Sequence, residues 1–193
     1  MAEKLGSEVE REVTIMLTDI VRYSRQTSSM TPDKVRDFVV EYHQNLHAVI
    51  NKPEYEPIEI EPSAGDGALI IFGKRPGEDS KPMCRRALSA AAELAFGINA
   101  KKIVPTRMGL FMGDIIEAHI GNKTAKFGTV FAIASRLEAL CDYFGTSVLM
   151  DRDVAANQDE MKVHLVHVGK VTPQNINHPI HLQTVYMPGL HRI

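Results

Sequence analysis

The sequence lacks tryptophan and has only two cysteines, Cys84 and Cys141, among its 193 residues. They stand far apart, so the chain has neither the cysteine pattern of a disulfide framework nor a CxxC metal motif. It also lacks an apolar run long enough to cross a bilayer, and the first residues, MAEKLGSEVER, lack the pattern of a signal peptide. We therefore expect reduced thiols, a cytoplasmic location and no insertion into a membrane.

An excess of charge of one sign is missing as well. The formal net charge is -2 with 24% charged residues, which argues against nonspecific nucleic-acid binding, so we expect no nucleic-acid partner. No GxxxxGK[ST] segment occurs, so the sequence does not support a P-loop nucleoside triphosphatase. The 44% apolar content is typical of a globular protein. The length fits one domain, which we assign to residues 11–193, after a disordered or frayed segment at residues 1–10.

Apolar periodicity predicts that strands and helices alternate through the first half of the chain. Residues 13–18 read as a buried strand. The segment TPDKVRDFVVEYHQNLHAVI predicts an amphipathic helix, with Thr31 as its cap and Pro32 in its first turn. A hairpin is predicted for IEIEPSAGDGALIIFG, with AGDG as its turn, and a helix for MCRRALSAAAELAFGINA.

The second half continues the same alternation. TRMGLFMGDIIEAHIG predicts a strand that turns at Gly113-Asp114 and returns, and GTVFAIASRLEALCDYFG predicts a helix that ends at Gly145. SVLMD is a short strand, and two more strands are expected around TPQNINHP. The order β-α-β-β-α-β with extra strands predicts an α/β (α+β) fold with a ferredoxin-like core.

Two aspartates stand at the ends of predicted strands. Asp19 closes the first strand and Asp66 lies between two glycines in the hairpin turn. Each has an ordinary explanation, because Asp is a common helix N-cap and Asp-Gly pairs favour tight turns. If the strand and the hairpin are neighbours, however, the two carboxylates approach each other. A divalent cation that also binds substrate phosphates would then neutralise them.

Four segments, VTIMLTDIVRYS, PSAGDGALIIFG, RMGLFMGD and GTVFAIASRLEAL, carry a resemblance to a known family. Their order and spacing resemble those of the class III nucleotidyl cyclase catalytic domain, the family of adenylate and guanylate cyclases. The resemblance covers roughly residues 13–186. It implies a ferredoxin-like fold that works as a homodimer, with active sites at the interface and a nucleoside triphosphate as substrate.

The resemblance also implies roles for individual residues. Asp19, Ile20 and Asp66 match the metal-binding positions, which would hold two Mg²⁺ or Mn²⁺ ions for attack of the ribose 3′-hydroxyl on the α-phosphate. Arg136 matches the catalytic arginine that the partner protomer supplies, and a guanidinium there would stabilise charge on the phosphates. The alternative for Arg136 is a surface arginine paired with Glu138 or Asp142.

The chain departs from the family pattern at several substrate-binding positions. Ala132 replaces the asparagine that normally orients the ribose. Pro62 and Ala125 replace the polar pair that normally selects a purine, and neither side chain can donate or accept a hydrogen bond. The lysine expected near the last strand for the triphosphate is not evident. The polar candidates that remain near the base or the phosphates are Arg22, Tyr23, Tyr55 and Lys126.

Two classes of function follow from these matches and departures. The first is an active cyclase with unusual base recognition, as in the family members that make cyclic UMP or cyclic CMP as antiphage signals. A conventional adenylate or guanylate cyclase is the alternative within this class. The second is a cyclase-like module that has lost catalysis and binds a nucleotide or a partner chain. The retained aspartate pair favours the first class.

Overall fold

The computed structural model describes residues 9–63, 66–156, 163–174 and 176–186. It is a mixed α/β fold built on one eight-stranded sheet, which confirms the predicted fold class. The elements follow in chain order: β1 Val9–Ile20, α1 Tyr23–Thr27, α2 Pro32–Ile50, β2 Glu59–Pro62, β3 Ala68–Gly73, α3 Ser80–Asn99, β4 Thr106–Ile120, β5 Lys123–Phe127, α4 Thr129–Phe144, β6 Val148–Asp151, α5 Arg152–Ala155, β7 His164–Val171 and β8 Ile180–Tyr186.

The first strand is the centre of the site-bearing half of the sheet. The strand order is β2-β3-β1-β4-β6-β8-β7, and β5 pairs with β4 outside this path. β1 is antiparallel to both of its neighbours, with Thr18 opposite Ala68 of β3 and Asp19 opposite Arg107 of β4. The β2–β3 hairpin therefore lies next to the end of β1, which is the condition under which the two aspartates approach each other.

Alternate residues of β1 enter two different cores, because successive side chains of a strand point to opposite faces. Met16 and Ile20 pack with helices α2 and α3 on one face. Val13 and Ile15 pack with α4 on the other face. Asp19 falls in the same alternation as Val13 and Ile15, so its side chain lies on the α4 face.

Helix α4 lies unusually close to β4. A Cβ atom at Gly109 would come within 2.1 Å of the Ala134 carbonyl oxygen, so only glycine fits there. The close contact brings the α4 side chain Glu138 over the beginning of β4. The helix ends at Gly145, whose left-handed conformation (φ 63°, ψ 38°) matches the predicted C-terminal glycine.

The sequence prediction fails at the turn assigned to Gly113-Asp114. β4 is continuous from Thr106 to Ile120, with Gly113 opposite Val13 and Asp114 opposite Glu12 of β1. Pairing along the whole of β1 overrides the local turn tendency of a Gly-Asp pair. The chain reverses at Gly121, which has a φ of 60°.

Two other expectations concern segments that the structure describes only in part. The predicted frayed segment 1–10 lies outside the described residues except for Val9 and Glu10, which begin β1. The predicted AGDG turn lies partly outside them, since residues 64 and 65 are not described. Thr31 precedes α2 as predicted, but its side chain makes no capping hydrogen bond.

Candidate active site

The structure brings Asp19 and Asp66 together at the end of β1. The backbone N–H of Ile20, the residue after Asp19, donates to Oδ2 of Asp66 at 3.0 Å. Asp66 is 8% exposed, and burial, followed by the charge of Asp19, raises the pKa of its carboxyl above the ordinary value. The two carboxylates therefore repel each other, and a cation shared between them would offset the repulsion.

A tight approach between β1 and the hairpin fixes this pair. A Cβ atom at Gly67 would lie 1.8 Å from the Thr18 carbonyl oxygen, so the chain can pass here only as glycine. The Thr18 hydroxyl accepts from the Ala68 N–H at 2.9 Å and shares a second hydrogen bond of 2.9 Å with the Tyr42 hydroxyl. Burial raises the pKa of Tyr42 to about 12, and the charges of Asp66 and Asp19 add to the shift.

Arg107 supplies a cation to the exposed side of the pair. Its guanidinium is bonded to Asp19 through Nη2, and its Nη1 lies 2.6 Å from Oδ2 of Asp142. Its Nε lies 2.7 Å from Oε1 of Glu138, although the two are not aligned as a hydrogen bond. Burial raises the pKa of Glu138 to about 7, against the opposing influence of Arg107. One guanidinium therefore joins β1, β4 and α4.

The donor set fits a hard divalent cation. The two carboxylates and the backbone oxygen of Ile20, the positions expected from the sequence to bind metal, offer oxygen atoms, the ligand type that Mg²⁺ and Mn²⁺ prefer. Within the described residues no group of three His, Cys, Asp or Glu side chains is arranged to hold a metal. A site of two carboxylates is incomplete by itself and suits an ion that takes its remaining ligands from substrate phosphates and water.

The positions matched to the catalytic arginine and the missing asparagine lie on one outer strip of α4. Ala132 is exposed and Arg136 is half-buried, and they are one helical turn apart. A different side of α4, which includes the buried residues Ala134 and Leu137, faces the sheet. Glu138 and Asp142, the alternative partners considered for Arg136, form ion pairs with Arg107 instead. Among the described residues, Arg136 has no ion pair.

The positions matched to the purine-selecting pair lie on neighbouring edges of the sheet. Pro62 ends β2 and is exposed, and Ala125 is half-buried in β5 opposite Ala118. Beside Ala125, the Lys126 ammonium is paired with Glu59 of β2, and Glu61 lies 3.9 Å away. Lys126 thus links β5 to β2 within one chain.

Tyr55, for which base reading stays a prediction, has its side chain engaged within the chain. Its hydroxyl donates to Glu93 of α3 at 2.5 Å, and its ring is buried in the core formed by α2 and α3. Burial, the Glu93 hydrogen bond and the Glu93 charge all raise its pKa well above the ordinary range. The tyrosine that lies close to the two aspartates is Tyr42, which sequence reasoning assigned only to the apolar stripe of α2.

Sequence reasoning also missed Arg107, the residue with the most contacts to charged groups at the site. Arg107 is the second residue of β4, and a single arginine at the start of a strand belongs to no sequence motif that would indicate a role. The signal lies in the pairing: Arg107 is opposite Asp19 in the β1–β4 register, and Glu138 and Asp142 are one turn apart on α4. That signal can be read only after the strands have been paired.

A family described as the adenylate and guanylate cyclase catalytic domain matches residues 5–178. The chain belongs to this family. Adenylate cyclase 1 of Rhizobium meliloti (strain 1021) is 27% identical over 163 residues, which cover 78% of this chain and 24% of that protein. Receptor-type guanylate cyclase gcy-13 of Caenorhabditis elegans is 26% identical over 150 residues, which cover 70% of this chain and 14% of that protein. The chain thus spans about a quarter or less of the length of these curated relatives.

Solved structures of cyclases share the fold. The adenylyl cyclase CyaB from P. aeruginosa superposes with a TM-score of 0.78 at 16% identity, covering 95% of this chain and 97% of the other. The guanylyl cyclase Cya2 gives a TM-score of 0.71 at 18% identity, covering 93% and 94%. The family expected from the sequence, the class III nucleotidyl cyclase catalytic domain, is confirmed by the match over residues 5–178. Relatives named for both purine substrates match, and the pyrimidine branch stays a prediction.

No helix in the described parts of the chain combines the length and apolar character needed to cross a membrane.

Proposed function

We propose that this domain converts a nucleoside triphosphate into a 3′,5′-cyclic nucleotide and pyrophosphate. The observation that supports this most is the pairing of Asp19 with Asp66 through the Ile20 N–H in a chain of the cyclase family. Each carboxylate has a partner in the chain, Arg107 for Asp19 and the Ile20 N–H for Asp66, yet the two still repel each other. A cation bound during the reaction would offset this repulsion.

Asp19, Asp66 and the Ile20 backbone oxygen would hold two Mg²⁺ or Mn²⁺ ions. When bound, these ions would lower the pKa of the ribose 3′-hydroxyl and neutralise the phosphates. The chain itself orients the ligands: Ile20 fixes one Asp66 oxygen, Gly67 lets the hairpin approach β1, and Arg107 holds Asp19.

We propose that the working unit is a homodimer with composite sites. In support, Arg136 lies on a strip of α4 that faces away from its own sheet, whereas Asp19 lies under the inner side of the same helix. A guanidinium so placed can serve the carboxylate pair of a second chain more readily than its own. It would stabilise negative charge on the phosphates as the bond to the α-phosphate forms.

We propose that the base is not selected as in standard purine cyclases, with cyclic UMP or cyclic CMP as products and antiphage signalling as a role. Pro62 and Ala125 offer no side-chain hydrogen bond to a base edge. The charged groups close to these positions are Lys126, Glu59 and Glu61. Lys126 forms an ion pair with each of the two glutamates. A conventional adenylate or guanylate cyclase remains the alternative within the same reaction class.

A catalytically impaired binding module is the second candidate, and Ala132 is the observation that favours it. Without an amide at that position the ribose loses a partner that would hold its 3′-hydroxyl in line, and misorientation costs rate steeply. The two candidates differ in turnover but share nucleotide binding.

Product identification separates the candidates. The purified protein is incubated with all four ribonucleoside triphosphates and Mn²⁺, and the products are identified by mass spectrometry, with the Asp66→Asn variant as the matched control. A cyclic nucleotide formed by the wild type and lost in the variant supports the cyclase. Triphosphate binding without any cyclic product would assign the chain to the binding module.

A further inference from the structure

The guanidinium of Arg107 is shared by three carboxylates on unequal terms. Its Nη2 donates to Asp19, and its Nη1 donates to Oδ2 of Asp142 at 2.6 Å. Its Nε lies 2.7 Å from Oε1 of Glu138, which is close enough for a hydrogen bond, but the N–H is not directed at that oxygen. Two of the three acids are therefore hydrogen-bonded to Arg107, and the third is not.

The contact without a hydrogen bond is the most buried of the three. The Glu138 side chain is 13% exposed, against 31% for Asp19 and 58% for Asp142. Among the described residues, neither Nε of Arg107 nor Oε1 of Glu138 has a hydrogen-bond partner. Buried polar atoms are normally paired, because an unpaired one has lost its water and gained nothing in return. The metal-free chain thus leaves a favourable bond unmade at its most buried acid.

The shape of a guanidinium explains why this bond is not made. Nε and Nη2 form one fork, whose parallel N–H groups can bind a single carboxylate together. Here the fork is divided, because Asp19 takes Nη2 while Glu138 lies beside Nε. Asp19 stands directly opposite Arg107 in the β1–β4 register, so the two backbones are held in place. The bond to Asp19 therefore competes with alignment toward Glu138.

The backbone of Glu138 is fixed as well. A Cβ atom at Gly109 would lie 2.1 Å from the Ala134 carbonyl oxygen and 2.4 Å from the Glu138 nitrogen, so α4 is seated against β4 as closely as a glycine permits. The helix has no room to bring its carboxylate closer. A change of partner has to come from the long side chain of Arg107.

We propose that Arg107 exchanges one acid for another when a cation occupies the carboxylate pair. Arg107 holds Asp19 in the metal-free chain, releases it to the cation, and then binds Glu138 through Nε and Nη2. Glu138 is thus a positioning residue that acts through Arg107. Because the guanidinium gains an aligned partner as it gives one up, release of Asp19 costs less than it would without Glu138. The cation itself rests on the proposed function, whereas the exchange rests on the unaligned contact.

Asp142 is a matched control for Glu138. The two acids lie one turn apart on α4 and both form an ion pair with Arg107, so replacing either with its amide removes one negative charge beside the same guanidinium. Asp142 is already hydrogen-bonded and is mostly exposed, so it has no bond to gain. Only Glu138→Gln removes the carboxylate that could fill the fork.

The first test measures binding of Mn²⁺ alone, without a nucleotide, by electron paramagnetic resonance. Glu138→Gln should raise the Kd about fivefold, and Asp142→Asn should change it by less than about twofold. If Glu138 acts through Arg107, the effect of Glu138→Gln should disappear in an Arg107→Met background, whereas a direct effect of its charge on the cation would persist there. Melting temperatures show that each variant is folded when it is compared.

The second test observes the exchange in the wild type. The Nε–H signal of Arg107 is followed by nuclear magnetic resonance during a titration with Mg²⁺, and Arg107→Lys assigns the signal by its loss. Exchange of this proton with water should slow as the bond to Glu138 forms. The slowing should be lost in Glu138→Gln and retained in Asp142→Asn.

Three results would overturn the proposal: no Mn²⁺ binding by the wild type at millimolar concentration, an Nε–H signal that is unchanged at saturating Mg²⁺, or an effect of Glu138→Gln that persists without Arg107. Failure of the cyclase proposal is distinguishable, because neither test uses a nucleotide. If no triphosphate is cyclised while Mn²⁺ binding still depends on Glu138 through Arg107, the exchange stands and the reaction does not.

Discussion

The arginines near the end of β1 differ in whether acidic side chains of the same chain neutralise their charge. Arg107 forms ion pairs with Asp19, Glu138 and Asp142, and its side chain is one-fifth exposed. Arg22 and Arg25 line an open cavity without an acid, and one of them occupies a strained backbone position. A guanidinium matched within the chain organises the structure, whereas an unmatched one is available to an anion from outside. Arg136 on the outer strip of α4 belongs to the second kind.

Loss of the Asp66 carboxylate, beside the matched Arg107, should produce the largest effect on activity. Asp66→Asn keeps an oxygen acceptor for the Ile20 N–H but removes the charge that a cation requires. We expect cyclisation to fall at least about a thousandfold, or ~4 kcal/mol in activation free energy. The melting temperature should not fall, because burial and the charge of Asp19 both disfavour the charged form of Asp66 in the folded wild type. Turnover within tenfold of the wild type would contradict the metal role.

The matched and unmatched arginines should differ in their effect on stability. Arg107→Met leaves Glu138 half-buried without its cation, so the free energy of unfolding should fall by about 3 kcal/mol, as when one partner of a buried pair is removed. Arg22→Gly should not lower it. Denaturant unfolding of both variants checks the comparison, and Glu138→Gln added to Arg107→Met should recover part of the loss. If Arg107→Met and Arg22→Gly changed the free energy of unfolding equally, the distinction between matched and unmatched arginines would be wrong.

Mixing two inactive variants tests whether Arg136 serves another chain. Asp66→Ala has lost the metal pair and Arg136→Ala the arginine, so each homodimer should be inactive. In an equal mixture half of the dimers are mixed and have one intact site of two, so roughly a quarter of wild-type activity should return. The activity of the mixture is measured alongside native mass spectrometry. Mixed dimers that form but stay inactive would refute the composite site.

The base preference should give the smallest differences. With Pro62 and Ala125 in the selecting positions, ATP and GTP should not be strongly preferred over UTP or CTP, because no buried polar group is left unpaired by the wrong base. The measurement is kcat/KM for the four triphosphates with Mn²⁺ and with Mg²⁺. A preference for ATP above about a hundredfold, roughly 2.7 kcal/mol, would mean that other residues select a purine.

The fold could be predicted to a large extent because its signals are local. The helical stripe of α2 and the glycine after α4 mark their elements directly in the sequence. The turn predicted at Gly113-Asp114 was wrong because strand pairing, a long-range effect, decided the conformation there. Local propensity is weaker evidence than pairing along a twelve-residue strand.

The site could be predicted only in part. Sequence reasoning and the family resemblance identified Asp19 and Asp66, which the structure brings together. They did not identify Arg107, since its role depends on three carboxylates from β1 and α4 that converge only in the folded chain. Tyr55 was assigned to the base because it lies in the loop before β2, yet its hydroxyl is bonded to Glu93 of α3. Side-chain partners across elements cannot be read from spacing along the sequence.

The central claim is that Asp19 and Asp66 bind the divalent ions that the reaction requires. Its most direct test is Mn²⁺ binding followed by electron paramagnetic resonance, in the presence of a triphosphate analogue that cannot be cyclised. We expect the wild type to bind two Mn²⁺ ions per site, and Asp66→Asn, folded to the same melting temperature, to bind them at least about tenfold more weakly. Equal Mn²⁺ binding by the wild type and the variant would contradict the account.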